Sequence, residues 1–211
     1  MGRAGRGVMW ALGMMAAGVA MADGAPMQER VVFLRHAEKP AQSLGQLTCQ
    51  GLNRALALPP VLISKYGRPD FIFAPDPKQE RTDPHHSAYD YVRPLATIEP
   101  TAIQLGLPVN TQYNTARSDE LRRHLGDARY QQSLIFVAWE HHLAEHMAKN
   151  MVAQWGGDAS TVPAWADDDY DSLYVVDLRR ADGKTTVSFH REAEGLDGQD
   201  KLCPAQRQHH E

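Results

Sequence analysis

The stretch VVFLRHAEKP, residues 31–40, runs from four apolar residues directly into an arginine and a histidine. A short apolar run rich in β-branched side chains is typical of a strand buried on both faces of a sheet. Arg35 and His36 would then lie at the carboxyl end of that strand, where ligands bind in parallel α/β sheets. The stretch therefore predicts a central strand that delivers two polar side chains to a binding site.

Further strand-like and helix-like segments alternate along the chain. The apolar runs at 69–75 and 133–139 predict two more strands, and the segment at 47–67 predicts a first helix capped by Thr48. Strands that alternate with helices favour a three-layer α/β/α sandwich with a mostly parallel central sheet. We therefore assign the chain to the α/β class.

Three local features of these elements are also predicted. Pro59-Pro60 should interrupt or restart the first helix, because proline lacks the backbone N–H that a helix interior needs. Ser118 is expected to cap a later helix that carries two acids in its first turn. The Asp-Gly pair at 182–183 lies between two alternating segments and predicts a β-hairpin.

The N-terminus has features of a targeting segment. Arg3 and Arg6 precede the apolar stretch VMWALGMMAAGVAMA, residues 8–22, which ends in the small-x-small pattern Ala20-Met21-Ala22. This arrangement is typical of a secretory signal peptide. The stretch is short for a bilayer-spanning helix, so an uncleaved anchor is the weaker alternative. We expect cleavage after Ala22 and a periplasmic or secreted protein that is not embedded in a membrane.

The resulting organisation is a signal peptide at 1–22, one domain at 27–195 and a C-terminal tail at 196–211. Removing the signal peptide takes away two arginines and no acids, which leaves 20 basic against 26 acidic side chains, a formal charge of −6. Nucleic acids are therefore not expected as partners, because neutralising a phosphate backbone requires clustered lysines and arginines.

The chain contains two cysteines, Cys49 and Cys203. An oxidising compartment permits a disulfide between them, which would tie the C-terminal tail to the start of the first helix. Two independent buried thiols are the alternative.

Four motifs occur in an order that resembles a known family. They are LRHAE at 34–38, LTCQGLNRA at 47–55, RPLATIEPTAIQLGLPV at 93–109 and WEHH at 139–142. Together they resemble the histidine phosphatase superfamily, with its phosphoglycerate mutase-like fold, and in particular an exported branch-1-like member. Ala37 stands where many members of the family have glycine.

The resemblance implies a role for each residue of the motifs. His36 would attack phosphorus to form a phosphohistidine that water then hydrolyses, while Arg35 and Arg93 bind the phosphate oxygens. His141, with His142 as its alternative, would contribute a further donor. The long connection before Arg93 leaves Arg81 as a rival second arginine. The family chemistry requires no cofactor and no metal.

The proton donor to the leaving group is not fixed by the motifs. Glu140, beside the second histidine, is our first candidate for a catalytic carboxyl group, and Glu120 and Asp119 are alternatives. The latter two also fit the simpler role of favourable charges in a helix first turn. Glu38 is expected to pair with an arginine.

Two metal hypotheses are weaker. His142 and His146 are four residues apart on a helix, which is metal-ligand spacing, but a third ligand is not evident. The run DDDYD at 167–171 is acidic but lacks the spacing and glycine of a calcium loop, so a solvated turn is preferred.

The favoured function is an exported, metal-independent phosphomonoesterase of the histidine acid phosphatase type, acting on a phosphorylated small molecule or envelope substrate. A phosphatase is preferred over a mutase because no extra segment is evident that would exclude water from a retained phosphohistidine. A catalytically silent member that binds a phosphorylated ligand or an envelope partner is the alternative.

Overall fold

The structure, a computed structural model, describes residues 1–2, 27–42, 44–78, 80–82 and 88–207. The predicted signal peptide and the tail histidines at 209–210 lie outside the described residues. The elements in chain order are β1 (Met27–Arg35), α1 (Cys49–Tyr66), β2 (Phe71–Phe73), β3 (Glu80–Thr82), β4 (Ala88–Asp90), α2 (Arg93–Leu105), β5 (Val109–Asn110), α3 (Ser118–Leu125), β6 (Leu134–Trp139), α4 (His141–Gln154), β7 (Ser172–Ala181), β8 (Lys184–Ala193) and α5 (Pro204–Arg207). None of the helices in these ranges has the length and apolarity to cross a bilayer.

Six strands form one mixed sheet in the order β5-β2-β6-β1-β7-β8. The first four are parallel to one another, while β7 and β8 form an antiparallel hairpin against β1. In the pairing of β1 with β6, Arg35 lies opposite Trp139. The residues that follow these two strands therefore leave the sheet at the same edge.

Two apolar cores cover the two faces of the sheet. Side chains of β1 alternate between them, with Val31 and Phe33 in one core and Val32 and Leu34 in the other. This alternation follows from the period of two in a strand. Helices α3 and α4 pack on the first face, and α1 and α2 pack on the second. The predicted three-layer α/β/α sandwich is therefore confirmed.

The two prolines at 59–60 do not interrupt α1, so that expectation was wrong. The helix buries Ala55, Leu58 and Leu62 on either side of the prolines. This packing holds the backbone helical where the local preference of proline would end it. The predicted cap is confirmed, because the hydroxyl of Thr48 accepts a hydrogen bond from the Gly51 N–H.

The structure also differs from the prediction for Ser118. A 3-10 helix at 115–117 runs directly into α3, and the Ser118 hydroxyl donates to the carbonyl of Thr115 and accepts from the Trp139 indole N–H. Ser118 is therefore the first residue of α3 and not its cap. The hairpin prediction is confirmed, since Asp182 and Gly183 both have positive φ, as a tight β7–β8 turn requires.

The segment after β8 folds back onto α1. A disulfide joins Cys49 to Cys203, which confirms the predicted pairing, and their Cα atoms lie 4.6 Å apart. The Asn53 side-chain amide donates to the carbonyls of Asp200 and Leu202 at 2.8 Å each. The described part of the C-terminal segment is thus held along the first helix by one covalent and several polar contacts.

Removal of this disulfide should destabilise the protein. The bridge closes a loop of most of the chain, so replacing both cysteines with serine is expected to lower the free energy of unfolding by about 2–5 kcal/mol. Urea unfolding without reductant measures the change. Dithiothreitol should shift the wild-type midpoint to that of the double variant and leave the variant itself unchanged. Equal unfolding midpoints for the wild type and the double variant without reductant would contradict a stabilising bridge.

Candidate active site

The loop after β1 is fixed by backbone and side-chain hydrogen bonds. The His36 N–H donates to the carbonyl of Trp139 at 3.0 Å, which continues the β1–β6 ladder beyond the strand. The next amide, of Ala37, donates to the Thr97 hydroxyl at 2.9 Å, and that hydroxyl donates to the carbonyl of Arg93 at 2.9 Å. Thr97 therefore connects the loop that carries His36 to the first turn of α2.

The hydrogen bond made by the His36 ring assigns its tautomer. Nδ1 lies 2.8 Å from the carbonyl oxygen of Ala37. Because a carbonyl oxygen can only accept, Nδ1 carries the hydrogen of the neutral ring, and the lone pair is on Nε2. Nε2 is therefore the nucleophilic atom of this side chain.

His36 is held in the neutral form. Burial lowers the pKa of His36 to about 3, and the nearby charges of Arg93, Arg35 and Lys39 act in the same direction. The hydrogen bond to Ala37 opposes these effects but does not outweigh them. The imidazole is thus a neutral nucleophile in a positively charged surrounding, an environment that suits an anionic substrate.

The guanidinium of Arg35 is anchored by main-chain carbonyls. Its Nη1 donates to the carbonyl oxygens of Ala166, Asp167 and Asp169 at 3.3, 2.8 and 2.9 Å. The Tyr170 ring lies 3.8 Å from the guanidinium carbon. Nε is buried and has no hydrogen-bond partner among the described residues. A buried donor of this kind needs an acceptor, and a phosphate oxygen would supply one.

The second arginine has a similar arrangement. Arg93 begins α2, is 5% exposed, and its guanidinium carbon lies 4.7 Å from the centre of the Tyr91 ring. The His36 ring lies between two tyrosines, with centroid distances of 6.2 Å to Tyr91 and 6.3 Å to Tyr170. Each tyrosine therefore places one arginine beside His36, and the structure brings these predicted site residues together.

The second histidine begins α4 at the same edge of the sheet. His141 Nε2 lies 2.9 Å from Oδ1 of Asp167, and Nδ1 lies 2.6 Å from Oε1 of Glu140, without the alignment of a good hydrogen bond. His142 Nε2 is 3.0 Å from the same Asp167 oxygen. The Asp167 carboxylate thus contacts the Nε2 atoms of both histidines.

Glu140 is an anion that caps α4. Its carboxylate accepts a hydrogen bond from the Leu143 N–H at 3.0 Å. Burial acts to raise the pKa of Glu140, but the close contact with His141 and the N–H groups of Leu143 and His142 outweigh burial and lower the pKa to about 2. Glu140 therefore has the geometry of a group that orients His141 and the start of the helix.

The other predicted carboxyl groups are engaged on α3. Glu120 forms a two-point ion pair with Arg117 at 2.6 and 2.7 Å, and this partner lowers the pKa of Glu120. Asp119 pairs with Arg122 at 3.3 Å. The backbone of Arg81 belongs to β3, but its side chain lies outside the described residues.

Behind the loop, Arg54 links three segments of the chain. It is 1% exposed and forms a two-point ion pair with Glu38 at 2.9–3.1 Å, as expected for a glutamate paired with an arginine. The same guanidinium binds Asp171 at 3.0 Å and Glu194 at 2.8 Å. Asp171 belongs to the loop whose carbonyls hold Arg35. Arg54 therefore positions both walls of the site at once.

Sequence reasoning missed Tyr91, Tyr170 and Asp167. Within the acidic run at 167–171, the Asp171 carboxylate accepts the N–H groups of Gly195 and Leu196 and pairs with Arg54. His146 does not join His142 at a common ligand, since its Nε2 lies 2.9 Å from the Asn150 amide nitrogen. Tyr91 alone had a sequence signal, its position two residues before Arg93.

No family model and no curated protein matches the sequence. Two similar solved structures are both assigned as candidate phosphohistidine phosphatases, SixA. The one from Nakamurella multipartitia is 12% identical and has a TM-score of 0.50; the match covers 78% of this chain and 95% of that chain. The one from Agrobacterium tumefaciens is 16% identical with a TM-score of 0.46, over 77% of this chain and 97% of that chain. The first similarity confirms the fold implied by the resemblance to the histidine phosphatase superfamily.

The protonation state of His36 can be measured directly. Since its pKa is lowered to about 3, the ring should stay neutral from about pH 7 to about pH 5, across the ordinary histidine value of about 6.5. Nitrogen-15 NMR of the ring, assigned by the loss of its signals in His36→Gln, should show a protonated Nδ1 and an unprotonated Nε2 throughout. A transition to imidazolium near pH 6.5 would contradict the assignment.

Proposed function

We propose that this protein is a phosphatase that hydrolyses phosphate monoesters through a phosphohistidine on His36. The observation that carries the proposal is a buried neutral imidazole, with its nucleophilic nitrogen assigned, between two arginines that are stacked on tyrosines. A phosphoryl group carries up to two negative charges, and its transfer requires charge stabilisation and a positioned nucleophile. The similar structure from Nakamurella multipartitia is assigned as a candidate phosphohistidine phosphatase, which supports the same class of chemistry.

The reaction takes place in two steps, phosphoryl transfer to His36 and hydrolysis of the phosphohistidine. Nε2 of His36 attacks phosphorus, the bond from phosphorus to the ester oxygen breaks, and the leaving group departs with its electron pair and takes up a proton. Water then attacks the phosphohistidine, the P–N bond breaks, and His36 returns to its neutral form as inorganic phosphate is released. Arg35 and Arg93 stabilise the charge that is spread over the phosphoryl oxygens.

His141 acts as a third donor to those oxygens, and Glu140 orients it. In the structure, the Asp167 carboxylate accepts a hydrogen bond from Nε2 of His141, and in this proposal a phosphoryl oxygen replaces that carboxylate. The Asp167 side chain is 85% exposed, so substrate can displace it at little cost. Because the two arginines supply the positive charge themselves, the proposed reaction needs no metal.

The supply of a proton to the leaving group restricts the substrates. The carboxyl groups beside His141, Glu140 and Asp167, both have lowered pKa values and are anionic at neutral pH. Neither is poised to donate a proton, so esters with stable leaving groups should react best. This observation also favours the second candidate function, a catalytically silent member that binds a phosphorylated ligand or envelope partner.

Hydrolysis of 4-nitrophenyl phosphate tests the proposed route. We expect His36→Ala to lower kcat by about 10⁴-fold or more, because the nucleophile is lost. His146→Ala, an exposed histidine change on α4, is the matched control and should retain activity. EDTA should not lower the rate, and rapid quenching should trap a phosphoprotein that is stable in base and labile in acid.

Activity that survives in His36→Ala or disappears with EDTA would contradict this mechanism. A wild-type protein that binds phosphate or vanadate without turnover would establish the silent alternative.

The dependence on the leaving group tests the role of Glu140. We expect 4-nitrophenyl phosphate to react at least about 100-fold faster than glycerol phosphate. Glycerol is a poor leaving group, and a general acid would contribute a factor of about that size to its departure. Glu140→Gln should slow both substrates by the same factor if Glu140 orients His141. A loss confined to glycerol phosphate would instead identify Glu140 as the proton donor.

We further propose that the chain is exported. The motif at residues 1–22 supports this, and so does a disulfide that forms in oxidising compartments. After expression with its own N-terminus in a Gram-negative host, the periplasmic protein should have the mass of a chain that begins at Asp23. Ala22→Phe should block this cleavage. A wild-type protein that stays in the cytoplasm at full length would contradict export.

A further inference from the structure

His142 and Asp167, which take no part in the proposed phosphoryl transfer, form a cluster with His141. The Nε2 atoms of both histidines lie 2.9 and 3.0 Å from one oxygen of Asp167. Their rings lie side by side, with centroids 4.0 Å apart and planes tilted by 33°. Two aromatic nitrogens thus meet at one carboxylate oxygen, and the Asp167 side chain that carries it is exposed.

These three groups are the ligand types of a zinc-like transition metal ion. Zinc binds imidazole nitrogen and carboxylate oxygen at about 2.0–2.2 Å, which places tetrahedral ligand atoms about 3.3 Å apart. The observed separations between Asp167 and the two histidines are a few tenths of an ångström shorter than this. A small outward movement of the exposed Asp167 side chain would therefore admit the ion.

Glu140 provides the support that metal-binding histidines commonly have. Its Oε1 lies 2.6 Å from Nδ1 of His141, on the side of the ring opposite Asp167. A carboxylate at Nδ1 favours the tautomer that leaves Nε2 free as a ligand. Glu140 is itself fixed as the cap of α4 by the Leu143 N–H.

We propose that His141, His142 and Asp167 bind one zinc-type transition metal ion, and that this ion competes with phosphate for His141. The His142 and Asp167 side chains are 62% and 85% exposed, so the ion can enter from solvent and keep one coordination position for water. The competition rests on the proposed phosphatase function, whereas the binding of the ion does not. Zinc is therefore an inhibitor of this site and takes no part in its chemistry.

Isothermal titration of the purified, untagged protein with zinc chloride tests the binding. Loss of an outer-shell partner typically weakens metal binding by about 10–100-fold, so loss of a direct ligand should cost at least about tenfold. We expect this loss in His142→Ala and in Asp167→Asn. His146→Ala, one turn along the same helix, is the matched control and should bind zinc like the wild type. His36→Ala should also bind like the wild type.

The control distinguishes this site from general binding by surface histidines. Equal affinity in the wild type, His142→Ala and Asp167→Asn would overturn the proposal, as would an equal loss in His146→Ala. Circular dichroism checks that each variant is folded. Intense visible absorption by bound cobalt, which indicates a tetrahedral site, should be present in the wild type and absent in Asp167→Asn.

Inhibition by zinc tests the competition separately. The rate of 4-nitrophenyl phosphate hydrolysis by each protein is compared with its own rate without zinc. Half-inhibition of His142→Ala should require at least about tenfold more zinc than half-inhibition of the wild type. Zinc that binds in calorimetry without raising the KM of the wild type would overturn the competition. If the wild type has no phosphatase activity but binds zinc, and His142→Ala and Asp167→Asn weaken that binding, the result would support the metal site and refute the proposed function.

Discussion

The parallel pairing of β1 with β6 is the constraint on which the site depends. With Arg35 opposite Trp139, the hydrogen bond from His36 to the Trp139 carbonyl extends the ladder by one residue beyond β1. A slip of one residue would turn every β1 side chain to the opposite face and exchange the contents of the two cores. Burial of those side chains therefore fixes, at the same time, where His36 and the start of α4 emerge. The precision of the site derives from the packing of the sheet.

A second level of order comes from buried charge. The guanidinium of Arg54 joins the loop after β1, the loop before β7 and the segment after β8 through Glu38, Asp171 and Glu194. Breaking a buried ion pair on one side leaves an uncompensated charge, which is strongly unfavourable. Burial, above all, raises the pKa of Glu194 to about 8, which reduces the negative charge that Arg54 must balance at neutral pH. The walls of the site are thus held by one cation whose partners lie far apart in sequence.

The predictable parts of the site are those attached to regular elements. Arg35, His36 and Arg93 follow a strand or begin a helix, so hydrophobic periodicity and motif order suffice to place them together. The loop before β7 could not be placed in this way, because it binds Arg35 through main-chain carbonyls, which every residue type possesses. Its Tyr170 stacks on a side chain far away in sequence and leaves no local pattern. The prolines of α1 show the same limit for the fold, since tertiary packing there overrides a local preference that the sequence does display.

The position of β1 within the sheet also governs the order of folding. This strand comes first in the chain yet lies at the centre of the sheet, and both of its partners, β6 and β7, belong to the second half of the sequence. Synthesis must therefore pass Ala181, the end of β7, before both ladders of β1 can form. Non-local pairing of this kind makes folding slow, and the apolar side chains of β1 stay exposed until its partner strands pair with it. A nascent chain of this topology therefore keeps β1 unpaired until β6 and β7 have been synthesised.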